Sequence, residues 1–161
     1  MHRFQMQPKS QLFDFEKQQG RYVRDSLVVS EGGLVFPKLS GSFPYSNGPV
    51  FRPNTCLMQE LLRTDYDRYD EEVEGGYSPA DPQVVSIKKG TEIPESLVLF
   101  REDSSRFSLQ PSRPLLLDDF NNILDEFYST SAILTNAADW METHEYHNAF
   151  ADNAEEVWIQ H

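Results

Sequence analysis

The chain is predicted to be an α+β protein with an antiparallel or mixed sheet. Short apolar segments recur along it, each bounded by Gly, Pro or Ser. Helical periodicity separates them in the middle and takes over at the end. No internal repeat is present, so the pattern is runs of strands with helices between them.

Residues 1–10 show no periodicity and are expected to form a loose arm. Leu12-Phe13-Asp14-Phe15 alternates and predicts a first strand. Gly20 punctuates, and Arg21 to Val29 predicts a second through Tyr22, Val23, Leu27, Val28 and Val29. Glu31-Gly32-Gly33 reads as a turn into Leu34-Val35-Phe36. The Pro, Ser and Gly of residues 37–50 predict a loop.

Asn54 or Thr55 is suited to cap a helix, because either side chain can accept from an orphan amide. Met58, Leu61 and Leu62 then share one stripe, with Gln59, Glu60 and Arg63 outside it. Residues 64–82 are acidic and contain Gly75-Gly76, Pro79 and Pro82, which predicts a long exposed loop. Val84, Val85 and Ile87 predict a strand, Ser96 to Phe100 another and Arg106 to Gln110 a third. Pro94 stands just before a strand, where its missing donor does no harm.

Phe120, Ile123, Leu124 and Phe127 follow helical spacing, and Asp118 and Asp119 suit the positive end of that helix. Residues 136–160 read as a second long helix capped by Asn136. Trp140, Met141, His147, Ala151, Ala154 and Trp158 form its stripe, and acidic residues its other side.

At 161 residues the whole chain, 1–161, is expected to be one domain. Its formal net charge of −12 argues against a nucleic-acid partner and against an anionic membrane surface. Cys56 is the only cysteine, so no intramolecular disulfide can form. That fits a reducing, cytoplasmic setting. Beside Leu57 and Met58, Cys56 reads as a buried small hydrophobe. The first residues do not form a secretory signal, and no segment is long enough to span a bilayer. Action on another cell would then need a non-classical route.

Several motifs carry less chemistry than they suggest. His144 and His147 are three apart, one short of the zinc-protease spacing, and no metal site is expected. Ser129-Thr130-Ser131 follows a helix and reads as its polar end. Asp65, Asp67, Asp70, Glu71 and Glu72 lack the glycine and terminal glutamate of a calcium loop, and read as a solvated acidic face. There is no phosphate-binding glycine loop and no nucleophile elbow.

The ordered block Gly90-Thr91-x-Ile93-Pro94-x-x-Leu97, then Phe107-Ser108-Leu109-x-Pro111, then Pro114 and Asp119-Phe120, carries a resemblance. So does Asn47-Gly48 through Phe51-Arg52-Pro53-Asn54-Thr55 to Met58-Gln59-Glu60-Leu61. Together they resemble the Tse-two family, type VI secretion toxins and their fungal relatives, over much of residues 47–124. The resemblance implies an ADP-ribosyltransferase-like split sheet with flanking helices, NAD as co-substrate, and transfer of ADP-ribose to a cytoplasmic target. An immunity protein is a further partner that such a toxin implies.

The candidate residues follow from that resemblance. Thr55 and Ser108 are the catalytic candidates. Asn54, Arg106 and Arg21 are the candidates for holding NAD, with Arg24 an alternative to Arg21. Ordinary alternatives stand beside them: a helix cap explains Asn54 and Thr55, a strand hydroxyl explains Ser108, and pairing with Glu102 or Asp103 explains Arg106. Glu92 and Glu95 are carboxylates in the block without a further pointer. The chain departs from the family at two places. Asp14 stands where an arginine follows the Leu-aromatic pair, and Arg106 stands where the family has a histidine. A catalytically degenerate, protein-binding version of the same fold is therefore the alternative.

Overall fold

The computed structural model describes residues 1–17, 25–38 and 47–144. It begins with β1 (His2–Gln5), β2 (Phe13–Asp14), a 3₁₀ turn (Phe15–Lys17), β3 (Ser26–Leu27), β4 (Leu34–Val35) and β5 (Val50–Phe51). Then come α1 (Cys56–Glu74), β6 (Gln83–Ser86), β7 (Leu97–Arg101) and β8 (Phe107–Pro111). β9 (Leu115–Leu116), α2 (Leu117–Ser131), β10 (Ile133–Asn136) and α3 (Ala137–Thr143) complete it.

The architecture is α+β, as predicted. β6 is the centre of one sheet, with β1 and β10 antiparallel on either side. β8 is the centre of a second, between β5 and β7, again antiparallel. β4 pairs with β9, and β2 with β3 in parallel. The two three-stranded sheets meet at a seam. There the His2 amide donates to Arg52 O at 2.7 Å, and the Arg52 amide donates to His2 O at 2.9 Å.

Two apolar clusters fill the interior, and β6 contributes to both, Val85 to the larger and Val84 to the smaller. Phe51, Leu109, Phe120, Leu124 and Val35 lie in the larger one, where α2 packs its buried stripe of Phe120, Leu124, Phe127 and Tyr128. Phe4, Met58, Leu62, Val84, Ala137 and Trp140 form the smaller, between β1, β6, α1 and α3. Asp118 and Asp119 occupy the first turn of α2, where the helix dipole favours them. Gly48 lets β5 approach β8: a Cβ there would lie 2.1 Å from Leu109 O. Asn47 beside it is buried, and its amide bonds the backbone of Val28 and Phe36.

Several sequence expectations need correction. The loose arm of residues 1–10 contains β1, because β6 offers an edge and Phe4 fills the smaller core. Arg3, buried on that strand, has its charge met by Asp25. Such a His-Arg-Phe-Gln segment shows no alternation to read. The acidic loop of 64–82 is helical as far as Glu74, and only residues 75–82 connect. Its carboxylates sit on an exposed helix face, which needs no apolar stripe once Met58 and Leu62 anchor the first turns. Gly75 and Gly76 then end it, Gly76 at φ +86.

Gln59 is buried and Leu61 is half exposed, the reverse of the predicted stripe. Cys56 is only partly buried, at the start of α1. Of the predicted second strand, Ser26 and Leu27 are in β3, while Arg21 and Arg24 lie outside the described residues. Asn136 does cap a helix, accepting from the Ala138 amide at 2.8 Å. That helix ends at Thr143, and His144 has left helical geometry at φ −126. The rest of the predicted acidic helix, with His147, lies outside the described residues. Among the described residues no helix is long and apolar enough to cross a membrane.

Candidate active site

A cleft of about 720 Å³ opens at the seam between the two three-stranded sheets. That is within the usual size of ligand sites, about 300–1,000 Å³. Ile87, Ile93, Leu99 and Phe107 give it apolar walls. His2 enters from β1, Asn54 from just ahead of α1, Lys88 and Lys89 from the turn after β6, and His144 from the end of α3.

Local chemistry explains each placement. The turn after β6 closes when the Thr91 amide donates to Lys88 O at 3.2 Å, and Gly90 takes φ +88. A side chain at Gly90 would be strained there, and the turn leaves both lysines exposed at the rim. Pro94 continues the run, with the Leu97 amide bonded to its carbonyl at 2.9 Å to begin β7.

The histidines are ordered by aromatic packing. His144 stacks on Trp140 with centroids 3.9 Å apart and planes 7° apart. His2 meets both edge-on, at 5.2 Å from Trp140 and 5.7 Å from His144. His144 Nδ1 lies 2.8 Å from Trp140 O, an acceptor only, so that nitrogen carries the proton in this contact. His2 Nδ1 lies 2.8 Å from Ser86 Oγ.

Asn54 is 9% exposed. Its Oδ1 accepts from Gln59 Nε2 at 2.9 Å, while its Nδ2 has no partner among the described residues. Neither Asp nor Glu is among the described lining residues. The cleft is thus a cationic patch, with two lysines, in a chain of net charge −12. Such a site attracts anions, and its low-dielectric walls strengthen the attraction.

The sequence candidates do not converge on this cleft. Asn54 lines it. Thr55 is wholly buried as the cap of α1, its Oγ1 accepting from the Met58 amide at 3.2 Å. Ser108 is also wholly buried, on the face of β8 opposite Phe107. There it donates to Glu102 and accepts from Gln110 Nε2 at 2.7 Å. Arg106 is exposed on the β7–β8 hairpin and paired with Asp103 at 2.6 Å. Burial would raise the Asp103 pKa, but the amides of Ser105 and Arg106 and the Arg106 guanidinium outweigh it and bring the carboxyl down to about 2. Arg21 lies outside the described residues.

The residues missed by sequence reasoning are His2, Lys88, Lys89 and His144. A Lys-Lys pair ahead of Gly90-Thr91 in so acidic a chain was a readable signal. His2 was hidden because its strand was hidden. The first strand carries both His2, towards the cleft, and Arg3, which pairs with Asp25 instead. Asp14 is mostly buried, bonded to the Glu16 amide and near Lys17. Ser129 and Thr130 bond back to Glu126 O, the polar helix end expected of them. No cluster of metal-ligating side chains exists among the described residues.

The family model for the Tse2 ADP-ribosyltransferase toxin matches residues 1–140. No curated protein and no solved structure matches the chain significantly. The match spans every strand, the two longer helices and most of the cleft, from Met1 to Phe107. The chain therefore belongs to the Tse2 ADP-ribosyltransferase toxin family, and is a toxin of the ADP-ribosyltransferase fold.

Proposed function

We propose that this toxin, acting as one domain in the cytoplasm of a target cell, binds NAD in the seam cleft and transfers its ADP-ribose to a macromolecule. The observation that carries the proposal is the pairing of Lys88 and Lys89 with apolar walls in one cleft of an acidic chain. A dinucleotide needs both: cations for its pyrophosphate and flat apolar surface for its rings. Asn54 adds a polar side chain to the same wall.

In the transfer, the bond between the ribose carbon and nicotinamide breaks, and nicotinamide leaves with the bonding electrons. A nucleophile of the target forms the new bond to that carbon. Lys88 and Lys89 hold the phosphates, His2 and His144 border the rings, and the apolar walls exclude water. Thr55 and Ser108 act behind the walls, one by fixing the start of α1 and the other by fixing the β7–β8 pair. Glu92, exposed between the lining residues Thr91 and Ile93, is the carboxylate nearest along the chain for the developing positive charge. An immunity protein that occludes the cleft is the expected antagonist.

The absence of a carboxylate among the described lining residues favours a second reading, in which the fold binds a partner and no longer catalyses. Inducible expression in a host, beside calorimetric titration with NAD, separates the two. Growth arrest with NAD binding supports the transferase. A folded, harmless protein that takes up no NAD leaves the binding module.

A further inference from the structure

We propose that β10 is a docking edge for a second copy of this chain, the two β10 strands pairing antiparallel about a two-fold axis at Leu134. The proposal is independent of the NAD reading, because β10 lies on the side of its sheet away from the seam.

The register determines which backbone groups face outward. Ile133 stands opposite Ser86 and Thr135 opposite Val84. The next residue of that series, Ala137, donates its amide to Pro82 O at 3.0 Å. On the other side of β6, the Ile87 amide donates to Met1 O at 2.8 Å, two residues from the Arg3–Val85 pair. Antiparallel bonds alternate along a strand. β6 therefore bonds β10 through Ser86 and Val84, and β1 through Val85 and Gln83. On β10 the amides and carbonyls of Leu134 and Asn136 point away from β6. They form an edge with no further strand among the described residues.

Natural sheet edges carry charge, proline or a covering element against unwanted pairing. β7, the outer strand of the other sheet, ends in exposed Arg101. β10 reads Ile-Leu-Thr-Asn, without charge or proline, and its Ile133 and Leu134 are 44% and 37% exposed. Such an edge is built to be paired.

The strand complements itself. With Leu134 opposite Leu134 of the second copy, each amide donates to the other's carbonyl. Each Asn136 amide meets the Ala132 carbonyl across the axis, and Ala132 is already extended at φ −105 and ψ 168. Ile133 then packs beside Thr135 of the second copy. Charge favours the same arrangement. Lys88 and Lys89 flank the Ile133 end of the edge, and Asp81 and Asp139 the Asn136 end, all four exposed. Antiparallel pairing sets the lysine end of one copy level with the aspartate end of the other, whereas parallel pairing sets like against like.

A four-residue edge is short, so a weak dimer is expected, with a Kd on the order of 10–100 μM. Sedimentation velocity of the full chain across that range should show monomer giving way to dimer. Leu134→Lys places like charges on the axis and should raise the Kd about tenfold or more. Val73→Lys, at an exposed apolar residue of α1, should leave it unchanged. Urea midpoints report whether each variant folds. Cysteines test the register in a Cys56→Ser background. Ile133 and Thr135 of the two copies form non-bonded pairs with Cα atoms about 4.5 Å apart, within disulfide reach. An equimolar mixture of Ile133→Cys and Thr135→Cys proteins should therefore cross-link on oxidation far faster than either alone. A monomer throughout the range overturns the proposal, as does a dimer that folded Leu134→Lys does not weaken. Should Leu134→Lys not fold, the cysteine mixture decides, and cross-linking no faster than for the single proteins overturns the proposal.

Discussion

Trp140 and His144 lie one helical turn apart with their rings parallel, centroids 3.9 Å from each other. Trp140 is buried in the smaller core, and His144 borders the cleft. The stack ties the packing of α3 to the wall of the site. Trp140→Ala is expected to cost about 3–5 kcal/mol, the usual penalty for emptying a large aromatic site. His144→Ala is expected to leave stability within about 1 kcal/mol and to lower NAD affinity. Urea unfolding and NAD titration on the same samples check both outcomes.

Thr55 caps α1 from a fully buried position, so its removal leaves the Met58 amide without an acceptor. Thr55→Ala is expected to destabilise the fold by about 1–2 kcal/mol, and Thr55→Ser to recover much of that. Urea midpoints for the three proteins show whether the hydroxyl or the methyl group matters more. If Thr55→Ala retains full stability yet loses toxicity, the residue acts in chemistry and not as a cap.

The Asp103 carboxyl is held near 2 in the folded protein, below its ordinary 3.8. A lowered carboxylate stabilises the fold above its unfolded pKa and loses that effect as pH falls through the folded value. Its contribution should be complete above about pH 4 and fade from there towards pH 2. Asp103 and Arg106 are both more than a third exposed, so the discounted effect is below about 1 kcal/mol. Comparing urea midpoints of parent and Asp103→Asn proteins at neutral pH and near pH 2 should show a small gap that closes in acid.

Lys88 and Lys89 should account for most of the salt dependence of NAD binding. With both changed to Gln, affinity should fall about tenfold or more at low ionic strength. The gap from the parent should narrow in strong salt, where charges on the rim are screened. Titrations at two salt concentrations suffice. A gap that stays constant with salt would mean that the lysines act through shape.

Elements with strong periodicity were legible in the sequence. α2 follows its apolar spacing, and β6, β7 and β8 lie within a residue or two of their expected limits. The turn at Gly32-Gly33 is also as read, with the Gly33 amide bonded to Ser30 O at 2.8 Å. What could not be read depends on distant partners. β1 is a strand because β6 pairs with it, and Arg3 is buried because Asp25 is there. α1 runs past Leu62 because an exposed acidic face needs no apolar stripe. The site was only partly legible for the same reason. Asn54 was found through a linear motif, whereas His2 and His144 reach the cleft by pairing and stacking that no local window contains.

His2 and His144 stand 5.7 Å apart in space although nearly the whole described chain lies between them. His2 also meets Ser86, 84 residues away. The cleft is therefore closed by joining the two ends of the described sequence, and contacts of such long range form slowly. A nascent chain on the ribosome lacks the His144 side of this cleft until residue 144 has emerged. Any truncation upstream of His144 should leave the cleft without that wall.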